Sequence, residues 1–353
     1  MRTSHRKSLG LSLTTILVVL FIQPVFAVSD ARPYYRAELI FKPSLQFPRC
    51  HASTIAALTD GCLLAAWWNG SEETGKDLVI RAARRPSGKD RWEPPFILAD
   101  TPDTSDGVPV LFVASNDELW LFYRAGIPPV KLMWRKSADM GKTWDKPEIF
   151  LDEPLWAFRS RPLSLANGDI FVPLHKHVCS GFIFTTDAGK SWTLIEEIKT
   201  EPRSNEPTII QKTDGSLLAF IRPYDPEPAD RFLWQSESFD ISRTWSKPIR
   251  TRIKNPSSAA QLLKLQNGHV VLVFNNSQEG RSPLCLALSL DEGKSWNYMR
   301  VLEDASGRFS YPTLTQSADG LIHISYTFRR THIKHAEVNE AWIMEKPWDD
   351  YPD

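Results

Sequence analysis

The sequence has no excess of charge of either sign: its 353 residues include 42 Lys and Arg against 42 Asp and Glu. After the first seven residues, no block of Lys or Arg interrupts this balance. Proteins that bind nucleic acids usually carry a basic patch that neutralises the backbone phosphates. The composition therefore argues against a nucleic-acid partner.

Motifs that bind nucleotides or support common hydrolytic chemistry are missing as well. The chain contains no GxGxxG, GxxxxGK[ST], GxSxG or HExxH, so we expect no nucleotide cofactor and neither a serine hydrolase nor a zincin. His175-x-His177 and His332-x-x-His335 are the closest approach to a metal motif, but neither pair has a nearby cluster of Cys or carboxylates at ligand spacing. We expect no metal and no other cofactor.

Cysteine is scarce. Domains that depend on disulfides for stability have many cysteines in a short chain. This chain has only four, without CxxC spacing: Cys50, Cys62, Cys179 and Cys285. We expect most of them to be buried thiols.

One long apolar run is present, at the N-terminus. Basic residues precede an apolar stretch at 9–22, and a small residue, Ala27, follows at the position of a cleavage site. We predict a signal peptide over 1–27 and a single domain over 28–353 that is secreted or periplasmic, with no membrane association after cleavage. An uncleaved membrane anchor is the alternative, although the run is short for a bilayer span.

A repeat of about 50 residues runs through the rest of the chain, in the range typical of propellers and solenoids. Each repeat has a short polar turn between apolar, β-rich segments, which is the strongest local signal for a β-hairpin. The turns are Asp60-Gly61, Asn116-Asp117, Asn167-Gly168, Asp214-Gly215, Asn267-Gly268 and Asp319-Gly320. Six hairpins are therefore predicted.

The repeat has a second mark, the octapeptide S-x-D-x-G-x-[ST]-W. It stands as SADMGKTW at 137–144, TTDAGKSW at 185–192, SFDISRTW at 238–245 and SLDEGKSW at 289–296, with a remnant that ends at Trp92. The Asp can accept backbone N–H groups across its own turn, the Gly can adopt a positive φ, and the Trp can fill the gap between neighbouring sheets. We interpret the octapeptide as a structural staple.

These two marks predict an all-β fold, a six-bladed β-propeller of four-stranded antiparallel blades that carry the octapeptide. No octapeptide follows the sixth hairpin. We expect the N-terminal strand at 35–41 to pair with the last blade and close the ring. The acidic tail from Glu345 is expected to be loose.

The octapeptide is the Asp-box of the bacterial neuraminidase repeat, and the chain resembles the sialidase superfamily, in particular its short BNR-repeat branch. NEPTIIQKTDGSLLAFIR, at 205–222, is similar to the sialidase strand pair that carries a catalytic Glu and a carboxylate-binding Arg. YPTLTQSADGLIHISYTFRR, at 311–330, resembles the strand that begins with the nucleophile. The resemblance implies that Tyr311 is the nucleophile, Glu206 its activating base, and Arg222 and Arg281 ligands of the substrate.

The sequence departs from the sialidase pattern in the first repeat. Sialidases carry an arginine about ten residues before the first hairpin glycine. In this chain that glycine is Gly61, and the position ten residues before it is occupied by His51. Arg49, two residues earlier, is the alternative candidate for the arginine. By the same resemblance, Glu73 takes the position of the acid/base Asp, and Asp77 is the alternative. The missing arginine weakens the specific case for sialic acid.

Further arginines are candidates for an anionic glycan. In Tyr326-Thr327-Phe328-Arg329-Arg330, strand alternation sends the two arginines to opposite faces, so one can reach the site while the other faces solvent; we name Arg329. Arg159 and Arg161 share one strand face, and of these we name Arg161 as a substrate-binding candidate.

The functional expectation is an exported, monomeric, retaining exo-glycosidase of sialidase type that hydrolyses a terminal acidic sugar from a glycan or oligosaccharide. For a 2-keto sugar acid, a neutral Tyr hydroxyl activated by a Glu avoids the repulsion that an anionic nucleophile would meet at the carboxylate-bearing carbon. Two alternatives remain open. One is a glycan-binding propeller without catalysis, and the other is a propeller lyase or hydrolase that acts on uronate glycans, with a His and a Tyr as the acid/base pair.

Overall fold

The computed structural model describes residues 31–41, 48–73, 75–126, 130–153, 155–201, 203–224, 227–241 and 243–349. These residues belong to one compact unit. The proposed signal peptide at 1–27 lies outside them.

Cys50, Cys179 and Cys285 are buried and Cys62 is partly buried.

The described chain is almost entirely strands and turns. Its first half contains β1 (Tyr35–Phe41), β2 (Arg49–Ala57), β3 (Leu63–Gly70), β4 (Val79–Arg85), β5 (Phe96–Ala99), β6 (Asp106–Val113), β7 (Leu119–Ala125), β8 (Lys131–Ser137), β9 (Glu148–Leu151), β10 (Ala157–Phe158), β11 (Leu163–Ser164), β12 (Ile170–Lys176), β13 (Cys179–Thr185) and β14 (Thr193–Ile198). Its second half contains β15 (Ser204–Gln211), β16 (Leu217–Pro223), a 3-10 turn (Pro228–Asp230), β17 (Phe232–Ser238), β18 (Ile249–Lys254), β19 (Gln261–Lys264), β20 (Val270–Asn275), β21 (Leu284–Ser289), β22 (Tyr298–Glu303), β23 (Phe309–Gln316), β24 (Ile322–Phe328), β25 (His332–Val338) and α1 (Glu340–Met344).

Within the described residues the strands form six antiparallel sheets, which confirms the six-bladed propeller. Blades one to five are β2–β5, β6–β9, β10–β14, β15–β18 and β19–β22, and blade six has the order β1-β25-β24-β23. Blade three differs because its inner edge is divided into two short strands, β10 and β11, which both pair with β12. The first strands of neighbouring blades pack on one another, β2 on β6 and β23, and β19 on β15 and β23.

The ring closes as the sequence predicts. β1 pairs antiparallel with β25, with Tyr35 opposite Val338 and Ala37 opposite Ala336. The last blade therefore takes its outermost strand from the N-terminal side of the described chain.

The Asp-boxes have the predicted staple geometry. In the first one, Asp139 Oδ1 accepts the N–H groups of Lys142 (3.0 Å) and Thr143 (2.8 Å), and Asp139 Oδ2 accepts the Thr143 hydroxyl at 2.6 Å. These bonds, the Thr143 hydroxyl first, hold the pKa of Asp139 well below its usual range. Gly141 has φ +79°, a conformation that costs glycine little. The box is thus a self-contained turn that leaves its tryptophan to pack elsewhere.

The box tryptophans fill the gaps between blades. Trp144 packs into a hydrophobic cluster shared by blades one and two, Trp192 between two and three, Trp245 between three and four, and Trp296 between four and five. Trp92 packs between blades six and one. Five of the six gaps are accounted for by the repeat.

The sixth gap is filled by a residue that the repeat does not predict. Trp342 of α1 is 8% exposed and belongs to the cluster shared by blades five and six. Its ring stacks on Tyr35 of β1 at 4.9 Å between centroids. The expectation of a loose tail is wrong for residues 345–349, because Trp348 donates its backbone N–H to Asn297 at 2.9 Å and packs with Phe274.

The inner strands share a local distortion that positions side chains near the axis. Left-handed backbone conformations, with φ between 49° and 58°, occur near the start of the first strand in five blades, at Ala52, Val108, Glu206, Ser257 and Tyr311. In blades one, two, four and six the strand pairing shifts register at the same place. Bulges of this kind redirect side chains and are common beside active sites.

Trp342→Ala is expected to lower the free energy of unfolding by about 3–5 kcal/mol, because it leaves a cavity between blades five and six. Denaturant unfolding measures the change. Phe239→Ala is the control, since Phe239 is 74% exposed and its loss should cost less than about 0.5 kcal/mol. Equal effects of the two substitutions would contradict the packing role of Trp342.

Candidate active site

Tyr311 lies at the bulge of β23 and is partly buried. The guanidinium carbons of Arg159 and Arg281 are 4.5 and 5.5 Å from its ring centroid. The His51 ring meets it edge-on, with 4.5 Å between centroids. These residues come from blades six, three, five and one, so the ring geometry gathers them although they are far apart in the chain.

Glu206 occupies the corresponding bulge of blade four and pairs with Arg222 of the neighbouring strand. Arg222 Nη1 donates to Glu206 Oε1 at 2.7 Å, and Arg222 Nη2 donates to Ser257 Oγ at 3.3 Å. Burial alone would raise the pKa of Glu206, but the charge of Arg222, with His175 and Arg159, lowers it to about 2. Glu206 is therefore ionised at neutral pH, and its Oε2 has no hydrogen-bond partner among the described residues.

Arg222 connects Glu206 to Tyr311 electrostatically. Burial lowers the pKa of Arg222, but Glu206 and Tyr311 as neighbours outweigh burial and raise it. In the part of the chain that the structure describes, no hydrogen bond joins Tyr311 directly to Glu206. The predicted nucleophile and base are thus brought to the same arginine, Arg222, rather than into direct contact.

Arg159 is the most enclosed of the arginines, at 3% exposure. Its Nη2 donates to the Pro312 carbonyl at 3.2 Å, while Nε and Nη1 have no partner in the described ranges. Burial lowers its pKa to about 10, partly offset by Glu206 and Tyr311. The sequence pattern pointed to the strand face that Arg159 shares with Arg161 but gave no sign of which arginine reaches the site.

Arg281 approaches the same group from the loop between β20 and β21. Its Nη2 donates to the Ser257 carbonyl at 3.4 Å, and its own carbonyl accepts the Phe309 N–H at 2.9 Å. Burial lowers the pKa of Arg281. The loop is thereby fixed to the start of β23, the strand that carries Tyr311.

His51 lies on β2, the first strand of blade one, and is buried. Its Nδ1 lies 3.0 Å from Thr327 Oγ1, and its Nε2 has no partner among the residues described. Burial, followed by the charges of Arg330, Arg281 and Arg159, holds its pKa well below the usual range, so the ring is neutral. Arg49, the alternative at this position, is exposed.

The two acid/base candidates have different surroundings. Glu73 has a side chain that is 52% exposed, and its Oε2 accepts from Arg330 Nη2 at 2.7 Å. Arg124 of β7 lies in the field of both Glu73 and Tyr311, although burial is the larger influence and lowers its pKa. Asp77 is exposed and closes its own turn by accepting the Ser71 N–H and hydroxyl, both at 2.9 Å.

Two predicted substrate-binding residues are not brought to this group. Arg329 is exposed, with its guanidinium 5.1 Å from the Phe328 ring centroid and its side chain against Gly307. Arg330, its neighbour, is the arginine that reaches Glu73, because the chain turns through two left-handed residues there. Arg161 lines a separate cavity of about 300 Å³ with residues further along the inner strands, including Gln261 and Lys264.

His175 is a further neighbour that the sequence suggested only as part of a metal motif. Burial lowers its pKa to about 4, with Glu206 acting in the opposite direction and Arg222 adding to the effect. His177 has its carbonyl 3.5 Å from Asn205 Nδ2 and its ring 5.9 Å from that of Tyr224. His175 thus lies beside the predicted base.

The whole group is a largely buried, strongly basic site around Tyr311 and the Glu206 carboxylate, and every blade contributes at least one residue to it. The model for the BNR repeat-like domain matches residues 61–324. The chain belongs to the BNR repeat-like domain family. Its likeness to the sialidase superfamily, predicted from the Asp-boxes, is confirmed.

Relatives of this BNR-repeat protein include a Bacteroides fragilis sialidase, which is 24% identical over 287 residues. The match covers 74% of the present chain and 52% of the sialidase, so the chain spans about half the length of that relative. A second curated sialidase, from Micromonospora viridifaciens, is 25% identical over 171 residues, 46% of this chain and 25% of that protein.

Solved structures show the same fold at low identity. A Dyadobacter fermentans protein of unknown function superposes with a TM-score of 0.74 at 16% identity, over 86% of this chain and 99% of that one. A leech intramolecular trans-sialidase superposes with a TM-score of 0.75 at 14% identity, over 88% of this chain and 71% of that one.

In the described residues, no helix has the length and apolar character needed to span a bilayer.

The Glu206 ion pair predicts a pH-dependent contribution to stability. Because its folded pKa of about 2 lies below the value of about 4.3 in an unfolded chain, the carboxylate stabilises the fold above pH ~4.3 and loses this effect as the pH falls towards 2. The free energy of unfolding of the wild type should exceed that of Glu206→Gln at pH 7, and the difference should shrink over this interval.

Urea unfolding at a series of pH values measures both free energies. Glu73→Gln is the control, since its exposed pair with Arg330 contributes little at any pH. A wild-type advantage over Glu206→Gln that stays constant down to pH 2 would contradict the assigned ion pair.

Proposed function

We propose that the protein is an exo-glycosidase of sialidase type that hydrolyses a terminal acidic sugar from a glycan. Tyr311 is the nucleophile and Glu206 the base that activates it. The observation that carries the proposal is the placement of Tyr311 among Arg159, Arg222 and Arg281, with a buried carboxylate held by one of them.

The arginines select an acidic sugar. Arg159, Arg222 and Arg281 bring three guanidinium groups to one site, and among the described residues they face one buried carboxylate, Glu206. Guanidinium groups present paired donors that suit carboxylates, and two donors of Arg159 have no partner among the described residues. A substrate carboxylate would supply the missing acceptor and the missing negative charge.

The chemistry of activation follows from the Glu206 contacts. Its Oε1 is held by Arg222 while Oε2 is without a partner in the described chain, so Oε2 is the atom that accepts the proton of Tyr311. The surrounding arginines stabilise negative charge that develops on the tyrosine oxygen as it attacks the anomeric carbon. The product of that attack is a covalent glycosyl-tyrosine, and its hydrolysis retains configuration.

Glu73 is the better candidate for the acid that protonates the leaving oxygen. Its side chain is 52% exposed to incoming substrate, and Arg124 lies near both Glu73 and Tyr311. Asp77 uses both carboxylate oxygens in its own turn. We therefore assign Asp77 to the loop that positions Glu73.

The wider setting supports a glycan as the partner. Curated relatives of this chain are named sialidases, and export through the signal peptide at 1–27 would place the enzyme where glycans occur. The mature protein is proposed to act as a monomer without a cofactor.

A second candidate function is elimination on uronate glycans, favoured by one contact. His51 is neutral, its Nε2 has no partner in the described ranges, and its ring touches that of Tyr311. A His and a Tyr side by side can serve as base and acid at a uronate. The arginines would bind the uronate carboxylate in the same way.

Tyr311→Phe is expected to lower kcat on a fluorogenic sialoside by at least about 100-fold, because the nucleophilic oxygen is lost while the ring remains. Release of the fluorophore measures the rate, and the melting temperature shows that the fold is retained. Tyr298→Phe, on the outer strand β22, is the control and should keep full activity.

The outcome with other substrates separates the candidates. If uronate glycans give an unsaturated, ultraviolet-absorbing product and sialosides release no sugar, the reaction is elimination and not hydrolysis. Saturable binding of acidic glycans without turnover of either substrate would show a binding propeller.

Arg159→Gln is expected to raise KM for the acidic substrate by about 10- to 100-fold, because charged hydrogen bonds contribute roughly 1.5–3 kcal/mol. Arg250→Gln is the matched control, since Arg250 lies on the outer strand β18 with an exposed side chain. A KM unchanged by Arg159→Gln would remove Arg159 from the proposed carboxylate site.

A further inference from the structure

Blade six contains a buried cluster far along its strands from Tyr311. His323 of β24 and His335 and Glu337 of β25 are each 1–3% exposed. His323 Nδ1 lies 3.2 Å from His335 Nε2 and 3.7 Å from Glu337 Oε2. One potential ligand atom from each of the three residues falls within 4.8 Å of the others.

We propose that His323, His335 and Glu337 form a binding site for Zn²⁺. Zinc binds imidazole nitrogen and carboxylate oxygen at about 2.0–2.2 Å in tetrahedral geometry, which separates neighbouring ligand atoms by about 3.3 Å. The distances of 3.2 and 3.7 Å fit that spacing without a change of backbone. A water molecule would complete the tetrahedron.

The hydrogen bonds around His323 leave its inner nitrogen free to act as a ligand. Ser317 Oγ donates its only proton to Asp319, so it accepts from His323 Nε2–H, which lies 2.8 Å away. That tautomer leaves a lone pair on Nδ1, the atom that faces His335 and Glu337. A metal-ligating histidine held through its other nitrogen in this way is typical of zinc sites.

His335 has its outer partner on the closing strand. Its Nδ1 lies 3.8 Å from Glu38 Oε1, an atom that has no hydrogen bond within the described chain. When Zn²⁺ takes Nε2, the imidazole proton moves to Nδ1 and can be donated to Glu38, with no net release of protons. Tyr34, in turn, donates to Glu337 Oε1 at 2.6 Å and fixes the third ligand.

The site has a path to solvent, and two arginines compete with the metal for Glu337: Arg36 Nη1 lies 3.6 Å from Glu337 Oε1, and Arg85 lies closer. A cavity of about 400 Å³ is lined by His323, Glu337, Ser317 and Arg85. Arg85 Nη1 lies 2.7 Å from Glu337 Oε2, the atom that would bind the metal, although the contact does not form a well-directed hydrogen bond. Zn²⁺ would have to displace this guanidinium, so Arg85 lowers the affinity.

The ligands and their partners lie on β4, β24 and β25, on β1 with the residue before it, and in the turn before β24, and none of them belongs to the proposed catalytic group. Bound zinc would join the closing strand, through Glu38 and Tyr34, to β25 and to β24 beyond it. Zinc therefore serves to stabilise the closure of the ring.

The test uses the full mature chain, stripped of metal with a chelator and titrated with Zn²⁺ alone. Calorimetry should show about one Zn²⁺ per chain, and the melting temperature should rise as zinc is added, because zinc binds only the folded state. Co²⁺ in the same site should give the visible absorption of a four-coordinate ion.

Variants identify the ligands. His323→Gln and Glu337→Gln should abolish the binding, and Ser317→Ala should weaken it by about 10- to 100-fold as a partner of a ligand. Arg85→Gln should bind zinc more tightly than the wild type, an effect that a purely structural ion pair would not produce. His269→Gln is the control, since His269 pairs with Glu340 outside the cluster.

The wild type itself keeps the proposal falsifiable if a variant fails to fold. No zinc bound to the folded wild type, together with a melting temperature that neither zinc nor chelator changes, would overturn it. Binding that survives in His323→Gln or is lost in His269→Gln would place the ion elsewhere and would also overturn it.

Discussion

The closure of the ring is the constraint on which the candidate site depends. A six-bladed ring directs its inner strands to one axis only when the first and last blades meet, and here they meet through β1, which pairs with β25. Asn339 Oδ1 accepts the N–H of Tyr34 and that of Trp342, both at 3.0 Å. One side chain thereby links the closing strand to the helix whose tryptophan fills the last gap.

Closure alone would leave the inner strands side by side without converging functional groups. The bulges supply the convergence. Glu206 and Tyr311 both adopt a left-handed conformation immediately before a proline, a position where the backbone ordinarily prefers an extended conformation. The surrounding sheet must compensate for this strain. As a result of the strained conformation, the side chains of Glu206 and Tyr311 do not follow the regular alternation of their strands, and both approach Arg222.

The sequence predicted the features that repeat and missed those that occur once. Turns and Asp-boxes recur because each blade needs its own hairpin and its own gap filler, so six blades could be counted from the sequence. Trp342 fills the sixth gap from a helix that has no counterpart in the other repeats. The bulges could not be predicted from the alternation of apolar and polar residues either. A residue in the left-handed conformation inside a strand has no sequence signal when it is not glycine.

The same distinction explains the site. The sequence singled out Glu206, Arg222 and Tyr311 because they lie in segments that resemble sialidase strands, and the structure brings these three residues together. Arg159 stands where the inner edge of blade three is divided in two, so regular alternation does not apply there. Arg330 rather than Arg329 approaches Glu73 because two consecutive left-handed residues reverse the expected faces. In both cases the choice between neighbours is made by local backbone geometry.

Electrostatics connects the fold to the proposed chemistry. Arg159, Arg222 and Arg281 share a site in which Glu206 provides one negative charge, and burial penalises every charge that lacks a partner. His51 avoids adding to this excess because its ring is neutral. An arginine at that position would bring a fourth guanidinium to Tyr311, beside an arginine from blade three that already occupies the site. The positive charge beside Tyr311 therefore comes from arginines of blades three, four and five, while blade one contributes a neutral ring.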